Sequence, residues 1–276
     1  MTTGTDALGQ WLLRHLRARL GSVDDCPIPQ LVTTLAEFSL VAVVLEPRGQ
    51  CSSWSRTVLE AIEPVYRLPQ LCQTLLTDPR SIVAHGWISE GLSVLGRPLP
   101  LGMSSLKRCI ERYRDVPLSQ HSWSTLEASY LHFRATRCFA WQVDHVAPDV
   151  PVRVPAERLD LYGLTHTVLF ASDFGAQAWP LGAQLCLSQR SRLMSELAAG
   201  AAVCRAARHY DLLAEIVAAA HCLRLPLPVA DWLSDLRDAQ GADGSIAGWF
   251  SGSHALGHAH GSLMAFLAEC LLAGSR

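Results

Sequence analysis

Leu159-Asp160-Leu161-Tyr162-Gly163-Leu164-Thr165-His166-Thr167-Val168-Leu169-Phe170-Ala171-Ser172-Asp173-Phe174-Gly175 is the stretch on which the fold turns. It has the length and composition of a helix, and Gly175 is placed to stop it. On a helical wheel Leu159, Tyr162, Leu169 and Phe170 surround His166 and Asp173. The opposite side, Leu161, Leu164, Val168 and Ala171, is apolar as well. A helix apolar on both sides is expected to be buried. This one carries an imidazole and a carboxylate inward, where such groups need partners.

Outward from that helix the chain reads as helices joined by short polar or Pro/Gly links. Before it come Asp6 to Leu20, with Asp6 as N-cap and Gly21 beyond its end, and Gln30 to Leu45. Ser53 to Ile62 and Leu68 to Leu76 follow, broken by Pro64 and Pro69. A helix capped by Asp78-Pro79-Arg80 runs to Gly96, then Met103 to Tyr113 and Ser124 to Ala140. After it come Ser188 to Ala207, Tyr210 to Leu223, Val229 to Ala239 and His258 to Leu272. No segment before residue 140 alternates with the period of a strand. The expected fold is therefore all-α, built of paired antiparallel helices in a single domain spanning 1–276. The Val- and Pro-rich stretch 143–154 is the one place for an internal break.

With 276 residues, 49% apolar and 17% charged, the chain can bury a large core. A formal net charge of −2 gives no basic footprint, so nucleic acid is not an expected partner. No polar-free run reaches the roughly 18 residues of a membrane span, and the most apolar stretch, Phe38 to Leu45, is too short. The N-terminus lacks the basic-then-apolar order of a secretory signal. Nine scattered cysteines without a Cys-x-x-Cys pair fit reduced core thiols and a cytoplasmic setting.

Near the C-terminus, Trp232-Leu-Ser-Asp-Leu-Arg-Asp-Ala-Gln-Gly-Ala-Asp-Gly-Ser-Ile-Ala-Gly-Trp249 ends a helix near Gln240, turns at Asp243-Gly244 and leads through a His-rich entry into another helix. This resembles the helix, Gln-x-x-Asp-Gly-Ser, Gly-Trp, helix unit of α/α-toroid proteins, among them terpene cyclases, prenyltransferase β subunits and lanthionine cyclases. The resemblance implies an α/α toroid or partial toroid whose inner helices line a cavity. It does not carry over the chemistry of those enzymes. Asp-x-Asp-Asp and Asp-Asp-x-x-Asp are absent, and the Cys-His pair of lanthionine cyclases is reversed as His221-Cys222. The phrase Thr165-His166 with Asp173-Phe174-Gly175 also looks like a signature of helical proteins of unassigned function.

His166 and Asp173 stand two helical turns apart on one face, so their backbones lie roughly 10 Å apart. Such a pair can bracket a small group, as an acid and a base acting on one substrate do. His260 falls on the apolar stripe of the last helix with Leu263, Met264 and Leu267 and is the inward member of His254, His258 and His260. His166, Asp173 and His260 are thus the expected catalytic residues. Tyr162, Phe170, Trp179 and Trp249 are the expected substrate walls. Asp211 and Glu215 read as solvent-facing, and His221 and Cys222 as a structural helix end. The expected function is acid–base chemistry, a cyclisation, elimination or isomerisation, on a medium-sized apolar substrate without a resident cofactor. The rivals are a non-catalytic helical-repeat binding or scaffold protein, and a zinc-dependent cyclase or lyase built on two His and one carboxylate. A small molecule or peptide is the expected partner.

Overall fold

A computed structural model describes residues 4–23, 26–49, 51–77, 81–97, 127, 130–131, 161–176, 187–246 and 255–274. Of the described residues 84% are helical and none lies in a strand, which makes the fold all-α. The chain divides into two compact units, Met1–Arg137 and Cys138–Arg276. The expected break at 143–154 lies outside the described residues.

Unit one contains α1 (Gly4–Gly21), α2 (Ile28–Leu45), α3 (Ser52–Tyr66), α4 (Pro69–Thr77) and α5 (Ile82–Val94). Leu8, Leu12 and Leu16, four residues apart, form the buried stripe of α1. The Trp54 indole of α3 donates to the carbonyl of Gly9, 3.1 Å away, and ties α3 to α1. The core is built on α2, which packs against α5, α3 and α4. By length and composition this helix, with the turn after it, is long and apolar enough to cross a bilayer, and 67% of it is buried inside the unit. That apolarity is what a helix covered by three neighbours requires. Gly91 makes the α5 crossing possible: a Cβ there would stand 2.6 Å from Leu59 and 3.4 Å from Ser39.

Boundaries differ from the sequence reading in α5, which has Ser81 and not Asp78 at its N-cap position, and in α3 and α1. Helix α3 does not break at Pro64 but continues to Tyr66. A proline in the last turn gives up one backbone bond without blocking the turn after it, and the Arg67 amide still reaches the Glu63 carbonyl. Asp6 is not the N-cap of α1, since the helix already begins at Gly4.

Unit two contains α6 (Leu161–Ala171), α7 (Leu187–Ala207), α8 (Tyr210–Cys222), α9 (Val229–Asp238) and α10 (Ala255–Ala273). Helix α8 is its hub, touching α6, α7, α9 and α10. Every residue from Asp211 to Ala220 is buried. The run of Ala214, Ala218, Ala219 and Ala220 leaves room for close neighbours, and Gly200 of α7 allows Leu161 of α6 to approach. After α9 the chain makes the tight turn expected at Asp243-Gly244. The Gly241 amide bonds the Ser245 carbonyl at 2.8 Å, and Asp243 accepts from both Ser245 N–H and O–H. Gly244 takes φ 95°, a conformation that favours glycine. The Ile246 amide then donates to Ser262 Oγ and fastens this turn to α10.

Candidate acid–base site

Among the described residues of unit two the deepest charged group is Glu215, on the hub helix, with its side chain 1% exposed. Three side chains from two other helices converge on it. Thr165 of α6 donates its hydroxyl to Oε2 at 2.5 Å. His166 of α6 places Nδ1 3.5 Å from Oε2, and His260 of α10 places Nε2 3.4 Å from Oε1. At those separations the two imidazoles act on the carboxylate mainly as charges. Burial pushes the Glu215 carboxyl up, but the charges of His166 and His260, with the hydrogen bond from Thr165, more than offset it. The net effect holds the group below the usual carboxylate range.

The His166 ring is held in one orientation. Its Nδ1 lies 2.8 Å from the Tyr162 carbonyl, one turn back on the same helix. A carbonyl only accepts, so Nδ1 carries a proton, and in the neutral ring the lone pair is on Nε2. Tyr162 and Phe170 flank the imidazole, with ring centroids 6.4 and 5.7 Å away. The His166 and His260 side chains are 20% and 29% exposed, so both have edges that Glu215 does not cover.

A second polar group adjoins the first. The Tyr162 hydroxyl donates to Asp211 Oδ2 at 2.7 Å, and His209 Nε2 lies 3.4 Å from both the Tyr162 hydroxyl and Asp211 Oδ1. Burial, the hydrogen bond to Asp211 and nearby carboxylate charge push the Tyr162 phenol far above its ordinary value, so it stays a donor. Burial and the charges of Asp211 and Glu215 push the neighbouring Cys204 thiol up to about 11. It is a packing thiol, not a nucleophile.

The structure places His166 and His260 on one carboxylate, with Tyr162 and Phe170 beside His166, and corrects two other readings. Asp211 and Glu215 are not solvent-facing; both are buried. A hub helix covered by four others has no solvent face to give them. Asp173 does not extend the face of His166. Helix α6 stops at Ala171, and Asp173, Phe174 and Gly175 take φ values of 48°, 52° and 81°. The Ser172 hydroxyl accepts from the Gly175 amide and holds this left-handed turn. The carboxylate beside His166 therefore comes from another helix. Trp179, Trp249 and His254 lie outside the described residues, as does the His258 side chain. Among the described residues no three His, Cys, Asp or Glu side chains are grouped to hold a metal ion.

A family model described as a domain of unknown function, DUF6895, matches residues 6–262. The chain belongs to this family. That match takes in both units of this DUF6895 protein, from α1 to the first turns of α10. No curated protein and no solved structure shows significant similarity to it.

Sequence reasoning missed Glu215, Thr165, Asp211 and His209. One signal was present for the first. Glu215 sits within Leu212-Leu-Ala-Glu-Ile-Val-Ala-Ala-Ala220, a run apolar on all sides, where an acid has nowhere to point but inward.

Proposed function

We propose that this DUF6895 protein is an enzyme performing acid–base chemistry, a cyclisation, elimination or isomerisation, on a medium-sized and largely apolar substrate. The observation that carries this reading is the fixed His166 ring. Its Nδ1 proton is committed to the Tyr162 carbonyl while the Glu215 carboxylate stands 3.5 Å away. A base that takes a proton on Nε2 becomes an imidazolium, and a buried anion beside it stabilises that form. His260, on the other oxygen of Glu215, is the complementary group, so a proton leaving one part of the substrate can be returned to another. Tyr162 and Phe170 supply apolar wall. The reading includes a toroid-like arrangement of helices and a cytoplasmic setting; nine scattered cysteines without a Cys-x-x-Cys pair fit the latter.

The test is a comparison of substrate pools. A cell extract is incubated with the native protein, with His166→Gln and with Glu215→Gln, and profiled by mass spectrometry. The expected result is a compound that disappears only with native protein, replaced by one of equal mass or by one lighter by a small leaving molecule. An unchanged extract with folded native protein sinks the proposal.

A second reading, a non-catalytic helical-repeat binding protein, also has an observation in its favour. In unit one a histidine of similar setting, His85, is wholly sealed and hydrogen-bonded at both nitrogens.

A further inference from the structure

The two units share a pattern of residues. Leu35-Ala36-Glu37 of α2 matches Leu213-Ala214-Glu215 of α8, and the same offset carries Ala42 to Ala220, Leu45 to Leu223 and Trp54 to Trp232. The two tryptophans are both buried, each on the helix that follows. Further on, Ala84-His85-Gly86 of α5 matches Ala259-His260-Gly261 of α10. Packing follows the same plan: α2 lies chiefly against α5 and also against α3, and α8 lies chiefly against α10 and also against α9. A shared phrase at both ends of a shared three-helix packing is the mark of one module present twice.

The histidines at the matched position differ in what they touch. In unit one the Tyr66 hydroxyl is 2.9 Å from His85 Nδ1 and the Thr74 hydroxyl 2.7 Å from Nε2. Thr74 spends its own proton on the Leu71 carbonyl at 2.6 Å. It therefore accepts from Nε2–H, and Nδ1 accepts from Tyr66. Both nitrogens are used by neutral groups, and the ring is 0% exposed. In unit two His260 is 29% exposed in its side chain and faces the carboxylate of Glu215. Tyr162, His166, His209, Asp211 and Cys204 are other titratable groups around that carboxylate.

We infer that α2–α3–α5 and α8–α9–α10 are two copies of one helical module whose histidines have parted in role, His260 serving proton transfer with Glu215 and His85 serving as a neutral structural pin. Burial, which lowers the His85 pKa to about 4, agrees with this division. The inference rests on the acid–base reading for the role of the second copy, and it names His260 as the partner of His166 in that site.

The test uses the full chain labelled with nitrogen-15 at histidine, ring signals being assigned with His85→Gln and His260→Gln. In the native protein His85 should show a slowly exchanging Nε2 proton and an unprotonated Nδ1 down to pH 5. The His260 ring signals should shift at fixed pH when Glu215 is replaced by Gln, and those of His85 should not. If His85 takes up its second proton over the same pH range as His260, or if His260 ignores Glu215→Gln, the inference is overturned. These measurements need no substrate. A preserved contrast without any turnover of extract supports the division of the two histidines and removes only the proposed activity.

Discussion

His166 and Glu215, on two different helices, stand 3.5 Å apart at Nδ1 and Oε2, although the Nδ1 proton itself points to the Tyr162 carbonyl at 2.8 Å. The carboxylate thus influences the ring through its charge without capturing its proton. The two roles are separated on one nitrogen: the carbonyl fixes its proton and the carboxylate supplies the charge.

Because the folded pKa of Glu215 lies below its unfolded value, acid protonates the unfolded carboxylate first. The stabilisation it provides is complete above about pH 4.5 and is lost as pH falls through the folded value. Glu215→Gln should therefore be less stable than native at pH 7 and show a shallower loss of stability below about pH 4.5. Urea unfolding followed by circular dichroism across that range checks this. Parallel pH curves for the two proteins would refute it.

His85 has the opposite protonation chemistry but the same sense of pH dependence. The unfolded ring takes up a proton near pH 6.5, and the folded ring refuses it until about pH 4. Stability from this site is full above pH 6.5 and falls as pH drops towards 4, by on the order of 3 kcal/mol. His85→Gln should flatten the stability curve between those values, as read by denaturant midpoints at half-unit pH steps.

Thr165→Val removes the hydroxyl that donates to Glu215 and leaves the shape nearly unchanged. Loss of a hydrogen bond to a buried charge costs about 2 kcal/mol. The melting temperature should fall by roughly 4–8 °C for a chain of this size. Thr165→Ser, which keeps the donor, should recover most of the loss. A serine variant as unstable as the valine one would show that packing, not the bond, is what Thr165 provides.

At the end of α6, Gly175 adopts φ 81°, and a Cβ there would meet Cys222 Sγ at 3.3 Å. Gly175→Ala should cost about 1–2 kcal/mol from the left-handed backbone alone. Ser172→Ala, which removes the hydroxyl that shares the Gly175 amide with the Ser172 carbonyl at 2.9 Å, should cost at most about 1 kcal/mol. Thermal melts of both variants test whether this turn is held by those two residues.

The helices were largely legible because their apolar periodicity is strong: Tyr210 to Leu223 and Val229 to Ala239 fall within a residue of α8 and α9 at each end. His166 and His260 were legible as inward residues for the same reason, as polar groups on otherwise apolar stripes. Asp173 was misplaced because periodicity continues on paper past the point where Ser172 turns the backbone. Glu215 was misread because a single acid among alanines looks like a solvent face until the whole helix is seen to have none. The recurrence of Leu-Ala-Glu and Ala-His-Gly lay in plain sight, but only the matching helix packing gives it meaning.

Helix α8, clasped by four neighbours, cannot shed its backbone hydrogen bonds unless unit two opens as a whole. Its amides from Leu212 to Ala220 should be the last in that unit to exchange with deuterated solvent. The negative charge at position 215 is accordingly bolted to the stiffest strut available. Any motion that admits or releases a ligand must come from the helices carrying the imidazoles.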